Sequence, residues 1–209
     1  MTRTMSEKET KDRIIDSATE LFGKYGKNGV SVSDIAQSAH ANKALIFYYF
    51  GSKDELYRTV LKNLLSTFVE SIQDKLKEAE PGLSAIETFV RIHIGLLQEN
   101  KNMARLFIRE LIFSEFEESS LMQKDVAEIL KTLRYEMIQV LSNARNSGQI
   151  RQIDPVQTMV SIVSLDIFFF LAMPILKIIN PYVDFEKFEA SRVDHVVDLL
   201  MNGLKKPQE

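Results

Sequence analysis

The stretch VSVSDIAQSAHANKALIFYYFGSKDELY, residues 30–57, decides which fold we expect for this chain. Ser31 followed three residues later by Asp34 is typical of the N-terminal cap of a helix, and Asn42 is a natural cap for a second helix. Residues 40–41 are the whole connection between the two. Two short helices joined by a tight turn predict a helix-turn-helix unit.

Four consecutive aromatic residues, 47–50, cannot all face one core, because successive side chains of a helix point about 100° apart. Ile46 and Phe50 lie one turn apart and can pack against Ile35 and Ala39 of the preceding helix. The other aromatic side chains then remain at the surface, where tyrosine hydroxyls can bond phosphate oxygens. The pattern therefore favours a DNA-facing surface, with an aromatic-rich core hairpin as the alternative.

This run resembles the TetR family of bacterial transcriptional regulators, and TKDRIIDSATELFGKYG, residues 10–26, fits the same family. The resemblance is specific over residues 10–60. Together with a helical pattern along the rest of the chain, it implies an all-α fold of about nine helices. The expected domains are a three-helix helix-turn-helix domain for DNA binding, residues 1–55, and a helical domain for effector binding and dimerisation, residues 56–209.

The resemblance also implies which residues contact DNA. Backbone phosphates are expected at the second helix and at the start of the fourth, and base edges at the third, the recognition helix. The candidates are Ser31, Ser33, Asn42, Lys43, Ala44, Leu45, Phe47, Tyr48, Tyr49 and Lys53. Three positions depart from the family pattern, since His40 and Ala44 replace frequent glycines and Phe47 replaces a frequent tyrosine.

Helix punctuation divides the remaining sequence. Ser84 with Glu87 suggests a capping box, EFEESS at residues 115–120 suggests a solvated loop, and a helix is expected over residues 121–146. Asp154 followed by proline predicts the start of the next helix.

An apolar stripe in the last helix predicts burial against other helices, because its residues recur every three or four positions. Regulators similar to this chain dimerise through their last two helices, and a two-fold dimer reads a palindromic operator. The stripe is therefore the expected dimer interface: Val193, Val196, Val197, Leu200, Met201 and Leu204.

The preceding helix contains a run, residues 156–176, that is long enough to cross a bilayer and carries a single charged residue, Asp166. A carboxylate at the centre of a span costs about 2.5–3.5 kcal/mol on insertion scales. We therefore expect a buried helix of the dimer and no membrane partner. A helical membrane-associated or adaptor protein is the alternative.

The resemblance implies a small-molecule effector, expected to be hydrophobic, in the C-terminal domain. The candidate contacts are His93, Phe107, Glu110, Asp166, Phe169 and Phe170. Asp166 among aromatic side chains would suit a cationic effector. The alternative for each candidate is that it is an ordinary core or surface residue without a role in ligand binding.

Composition excludes several other functions. The chain has 209 residues, a formal net charge of −3, three histidines and no cysteine, so disulfides and thiolate metal sites are ruled out. Neither a metalloprotease motif, a plausible catalytic triad nor a glycine-rich phosphate loop is visible, and no secretory signal opens the chain. The sequence therefore predicts a cytoplasmic, homodimeric, ligand-responsive regulator, most simply a repressor, with no catalytic residue, metal or cofactor.

Overall fold

A computed structural model describes residues 7–113 and 121–206, with the backbone alone at 103, 111–113 and 121–123. These residues form nine helices and no strand, which confirms the all-α prediction. The helices are α1 (Glu7–Tyr25), α2 (Val32–Ser38), α3 (Lys43–Phe50), α4 (Lys53–Glu78), α5 (Leu83–Glu99), α6 (Lys101–Phe113), α7 (Leu121–Asn146), α8 (Pro155–Ile179) and α9 (Phe185–Leu204). The predicted loop at residues 115–120 lies outside the described residues.

Most helix boundaries follow local capping signals, and the start of α5 does not. Asp154 and Asp184 cap α8 and α9 through their side chains, and Pro155 occupies the first turn of α8. The predicted capping box of Ser84 is wrong, because α5 already begins at Leu83. There the Leu83 N–H donates to Oε1 of Gln149, 3.1 Å away and 66 residues later in the chain.

Two compact units divide the chain. Unit 1 comprises residues 1–66 and 100–126, and unit 2 comprises residues 67–99 and 127–209. Helix α4 contributes its first part to unit 1 and its remainder to unit 2. The predicted functional boundary between residues 55 and 56 stays a prediction.

Unit 1 is built around the predicted helix-turn-helix. Helix α1 packs against α2 and α6, and α2 packs against α3. Its core includes Ile14 and Phe22 of α1, and the Phe22 ring meets the Tyr57 ring of α4 edge to face at 5.0 Å. Aromatic pairs in this geometry add to the free energy of burial. This core gives the short helices α2 and α3 the tertiary support that helices of seven and eight residues need in water.

Unit 2 has a core in which α5 packs against both α8 and α9. Buried apolar residues of α5, including Ile86, Phe89 and Ile94, face buried residues of the other two helices. Two polar side chains are buried in the same unit, His93 of α5 and Asp166 of α8. Polar groups in an apolar core are costly unless they are paired, so these two define a site that needs explanation.

Candidate DNA-binding surface and effector site

The N-terminal end of α2 is fixed by the capping box that the sequence predicts. The Asp34 N–H donates to Oγ of Ser31 at 3.2 Å, and the Ser31 N–H donates to Oδ2 of Asp34 at 2.8 Å. Hydrogen bonds that the side chain and the backbone N–H of Ser31 make with the carboxylate hold the pKa of Asp34 below its usual range, because they favour the ionised form. Ser31 and Ser33 are both exposed, so their hydroxyls are accessible from solvent.

The turn between α2 and α3 depends on His40, whose φ of +48° lies in the left-handed region. Glycine is the usual residue for this conformation, and His tolerates it better than most residues do. Oδ1 of Asn42 then accepts a hydrogen bond from the Ala44 N–H at 2.8 Å and starts α3. A histidine at this position is therefore compatible with the tight turn.

Helix α3 divides its side chains as predicted. Ile46 and Phe50 are buried in one cluster with Ile35 and Ala39, which confirms the predicted packing of α3 on α2. Leu45 and Tyr49 are half-buried, and Tyr48 is 74% exposed. Asn42, Lys43, Ala44 and Phe47 are exposed as well.

Lys53 has a structural role that the sequence did not reveal. Its Nζ donates to the carbonyl oxygens of Lys27 and Val30, each at 3.1 Å, so it fixes the loop between α1 and α2. An ammonium group has three N–H donors, of which these bonds use two. Lys27 adds an ion pair of 3.1 Å with Asp54 next to it.

Two of the predicted effector contacts, Phe107 and Glu110, belong to unit 1, whereas the other four candidates belong to unit 2. Phe107 is half-buried against the core of unit 1, and Glu110 accepts a hydrogen bond of 3.1 Å from the Tyr57 hydroxyl. Burial, together with the charge of Glu110, raises the pKa of Tyr57 above its ordinary value. Within unit 1 these residues support the core beneath α4 and α6.

His93 and Asp166 form the buried polar pair of unit 2. Nδ1 of His93 lies 2.6 Å from Oδ2 of Asp166, and Asp166 is only 1% exposed. Burial raises the pKa of Asp166, although the hydrogen bond with His93 and the charge of Arg192 act in the opposite direction. The sequence prediction named both residues but did not pair them.

Arg192 of α9 is the member of this site that the sequence prediction missed. Nη2 of Arg192 donates to the carbonyl oxygen of Leu165 at 2.9 Å, and its guanidinium carbon lies 5.0 Å from the centre of the Phe169 ring. Burial lowers the pKa of Arg192, and the charge of Asp166 opposes this shift. The sequence does contain a feature that points to Arg192. It lies one turn before Val196 of the apolar stripe, and a cation beside such a stripe needs a partner.

Aromatic rings surround the pair. The Phe89 ring stacks on His93 with centroids 5.3 Å apart, and the Phe68 ring meets His93 edge to face at 5.4 Å. Phe169 is buried, and half-buried Phe170 meets it edge to face at 5.2 Å. The polar groups are therefore enclosed by flat apolar surfaces.

The predicted dimer interface needs correction. Val196, Val197, Met201 and Leu204 are buried inside the chain, in the helix that packs against α5. A side chain that is already buried in its own chain presents no surface to a second copy, so assigning these four residues to an interface is wrong. Val193 and Leu200 are half-buried.

Helix α8 carries the exposed apolar surface instead. Its exposed apolar side chains lie three, four or eight residues apart, and Ile178 is 72% exposed. The set comprises Val156, Val160, Phe168, Leu171, Ile175 and Ile178, and we call it the α8 stripe. By length and composition α8 is also the single helix among residues 7–113 and 121–206 that could cross a membrane, a weak criterion that core helices of soluble proteins also meet.

Metal binding has no support among the residues that the structure describes, since none of them form a group of three or more His, Cys, Asp or Glu side chains able to hold an ion.

Residues 14–60 match the family described as bacterial regulatory proteins, tetR family. The transcriptional regulator RutR of Escherichia coli strain K12 is 27% identical over 145 residues, which cover 69% of this chain and 66% of RutR. The fatty acid metabolism regulator protein of Bacillus subtilis is 27% identical over 140 residues, covering 67% of this chain and 70% of that protein. This chain thus spans just under two thirds of the length of RutR.

Solved structures share the fold over nearly the whole chain. FadR from Bacillus subtilis, solved in complex with stearoyl-CoA, gives a TM-score of 0.73 at 23% identity and covers 92% of this chain and 98% of FadR. PfmR from Thermus thermophilus, a TetR family regulator, gives 0.72 at 21% identity, with coverage of 94% and 97%. With the family match over residues 14–60 and this likeness of fold, the chain belongs to the TetR family of bacterial transcriptional regulators.

Proposed function

We propose that this protein is a ligand-responsive transcriptional regulator, most simply a repressor, that binds a palindromic operator through α3. The observation that carries the proposal is a recognition helix whose buried side chains hold it on α2 while Tyr48 and Lys43 remain exposed. Exposed tyrosine and lysine side chains suit phosphate and base contacts, and the N-terminal end of a recognition helix is the end that meets base edges.

Base contacts are assigned to the start of α3. Asn42 and Lys43 offer polar groups, and Ala44 and Leu45 offer methyl groups that can meet thymine methyls. Phe47 and Tyr49 flank Tyr48 on the same helix. All seven residues are exposed or half-buried, as such contacts require.

Phosphate contacts are assigned to the helix ends beside α3. The Ser31 hydroxyl is exposed at the N-cap of α2, and Ser33 is exposed in the first turn of that helix. Lys53 retains one N–H donor beyond the two that hold the loop. Such contacts position the protein on the duplex and contribute to salt dependence.

A homodimer is proposed because one eight-residue recognition helix reads too few bases for specific binding, and a two-fold dimer doubles the site. The α8 stripe is the proposed interface. The next helix, α9, adds two exposed apolar side chains, Phe188 and Leu199. Large apolar side chains spaced by three and four residues are the pattern of helix–helix interfaces.

The effector is proposed to bind in unit 2, where His93, Asp166 and Phe169 come together. The neighbouring structure of FadR contains stearoyl-CoA, which supports a small molecule with an apolar body as the effector of this fold. Binding would release the operator by changing the relation between the two recognition helices of the dimer.

Selection of bound duplexes from a random pool, at two salt concentrations, tests the DNA-binding proposal. We expect enrichment of a palindrome whose half-sites lie about one helical turn apart or a multiple of it. A Lys43→Ala/Tyr48→Ala variant is the control and should enrich nothing. Native mass spectrometry establishes that the wild-type protein carries no ligand. If that ligand-free protein enriches no sequence, the proposal is contradicted.

A cytoplasmic location is proposed together with the regulator function, and no catalytic activity is assigned. The alternative, a membrane-associated or adaptor protein, is favoured only by the apolar α8. Cell fractionation separates the two: we expect recovery in the soluble fraction, and recovery in the membrane pellet after a high-salt wash would favour the alternative.

A further inference from the structure

The polar cluster of unit 2 joins three helices, with His93 on α5, Asp166 on α8 and Arg192 on α9. His93 and Asp166 are buried, and Arg192 is half-buried. The cluster does not lie at a surface where water could solvate each charge freely. Its hydrogen bonds must therefore be accounted for one by one.

Two atoms of the cluster have no protein partner within the described part of the chain. Oδ2 of Asp166 is bonded to His93 and Nη2 of Arg192 to the carbonyl of Leu165, whereas Oδ1 of Asp166 and Nε of Arg192 are buried and unpaired. One is an acceptor that needs a donor, and the other is a donor that needs an acceptor. Leaving both unpaired is costly, so Oδ1 of Asp166 favours a donor and Nε of Arg192 favours an acceptor.

The charges of the cluster select against an ionic ligand. Arg192 lies beside Asp166, since its Nη2 bonds the carbonyl oxygen of Leu165, the residue before Asp166, and a guanidinium and an ionised carboxylate at this place balance each other in charge. A buried cation or anion added to this pair would have no counter-ion, and an unpaired buried charge is strongly unfavourable. The cationic effector that Asp166 suggests in the sequence therefore loses its basis once Arg192 is placed beside it.

The aromatic rings around the cluster favour a ligand with an apolar body. Phe89 stacks on the His93 ring, Phe68 meets its edge, and Phe169 lies beneath the Arg192 guanidinium. Ligand sites commonly combine such apolar walls with a few polar groups that fix orientation.

We propose that the effector is recognised through an uncharged group with a hydrogen-bond donor and an acceptor side by side, such as a carboxamide or a lactam, on an apolar body. The donor bonds Oδ1 of Asp166, and the acceptor bonds Nε of Arg192. This inference rests on the proposed function, since it names the chemistry of the ligand to which the regulator responds. Because Asp166 lies on α8, the bound group acts on the helix that carries the proposed dimer interface.

The test uses three probes that share a phenyl ring and differ in charge: benzamide, benzoate and benzylammonium. Each is titrated at millimolar concentration into the full-length protein while the thermal unfolding midpoint is recorded. Benzamide is expected to raise the midpoint, since a ligand that binds only the folded state stabilises it, and the two ions are expected to leave it unchanged. An equal or larger shift from either ion, or no shift from any probe, would overturn the proposal.

Charge variants give a second, independent readout. Asp166→Asn leaves the Arg192 charge uncompensated, so benzoate should become the preferred probe, by about tenfold over benzamide. Arg192→Gln leaves the carboxylate uncompensated, so benzylammonium should be preferred. Arg91→Gln is the matched control. Arg91 is an arginine of the same unit that pairs with a carboxylate, that of Asp194 at 2.7 Å, but this pair lies at the surface. It should retain the wild-type preference for benzamide.

A merely structural cluster would lose stability in both variants without reversing the probe preference, and that outcome would overturn the proposal. If one variant fails to fold, the probe preference of the other variant decides in the same way. The selected operator adds a separate arm. Operator release by benzamide that Asp166→Asn leaves unchanged would also overturn it. Absence of operator binding would count against the proposed function alone, since the unfolding midpoints do not depend on DNA.

Discussion

Helices α3 and α8 both expose large apolar side chains, but in different chemical surroundings. On α3 the exposed aromatic residues, Phe47 and Tyr48, follow Asn42 and Lys43 at the helix start. On α8 the stripe consists of aliphatic and phenyl side chains along most of a 25-residue helix, and the polar residues Gln157, Ser161, Ser164 and Lys177 are exposed on the same helix. Apolar surface mixed with hydrogen-bond donors suits a charged, hydrated partner such as DNA, whereas a continuous apolar stripe suits a second apolar helix.

The comparison also explains why both surfaces stay exposed within one chain. Each helix uses its opposite face for its own core, Ile46 and Phe50 on α3, and Ile162 and Phe169 on α8. A helix that is apolar on both sides is buried on both sides in its working state. For α8 that state is the proposed dimer, and the predictions below begin there.

The largest effect is expected from charges in the α8 stripe. Ile175→Asp with Ile178→Asp places carboxylates in the proposed interface, where they would be buried without partners. We expect monomers whose operator affinity falls about 10²–10⁴-fold, because the two half-sites are no longer bound together. Light scattering and operator titration measure the two effects.

Tyr135→Asp is the matched control, since Tyr135 is an exposed large side chain of α7 outside the stripe. It should remain dimeric. A double variant that is still dimeric would place the interface on another surface and remove the contrast between α8 and α3.

The next prediction distinguishes the α8 stripe from the apolar residues of α9 that the sequence predicts as the dimer interface, here called the α9 stripe. Met201→Ala removes a buried side chain of α9 and should lower the free energy of unfolding by about 2–5 kcal/mol, because a cavity remains. The dimer should persist at temperatures where the variant is folded. Denaturant unfolding and light scattering check this; a stable, monomeric variant would restore α9 as the interface.

How far the sequence could predict this molecule depends on the range of the interactions involved. The ends of α2 and α3 were predictable because Ser31, Asp34 and Asn42 bond atoms only two or three residues away. The start of α5 was not, since its cap comes from Gln149, 66 residues later. Periodicity correctly indicated that the α9 stripe is buried, but it carries no information on whether the covering helix belongs to the same chain.

The same limit applies to the candidate site in unit 2. His93 and Asp166 could be named because a histidine and a carboxylate in apolar helices are unusual. Their pairing and the approach of Arg192 depend on how three helices pack, which no local pattern encodes.

A smaller effect is expected on the α3 surface. Tyr48→Ala and Lys43→Ala should each weaken operator binding by about 1–3 kcal/mol without changing the unfolding midpoint, because both side chains are exposed. For Lys43→Ala the slope of log affinity against log salt should fall by about one, as expected for one lost phosphate contact. Tyr135→Ala should change neither quantity, and unchanged affinity in both α3 variants would contradict the recognition-helix assignment.

The smallest effect compares two tyrosines that the fold treats oppositely, since Tyr48 is 74% exposed and Tyr57 is 3% exposed. Tyr57→Phe removes the hydroxyl that donates to Glu110 and should lower the free energy of unfolding by about 0.5–1.5 kcal/mol at neutral pH. DNA binding should be unaffected, in contrast to Tyr48→Ala. Chemical denaturation of both proteins gives the difference in stability.

The pH dependence of that difference tests its cause. Burial raises the pKa of Tyr57 in the folded chain, while in the unfolded chain the phenol titrates near its ordinary value of about 10. Above that pH the unfolded wild-type chain releases a proton that the folded chain keeps, so its stability falls by up to about 1.4 kcal/mol per pH unit. Tyr57→Phe lacks this loss, so its deficit should shrink as the pH rises through about 10. A deficit that stays constant between neutral and alkaline pH would mean that Tyr57 is not held protonated by burial, and that its difference from Tyr48 is one of packing alone.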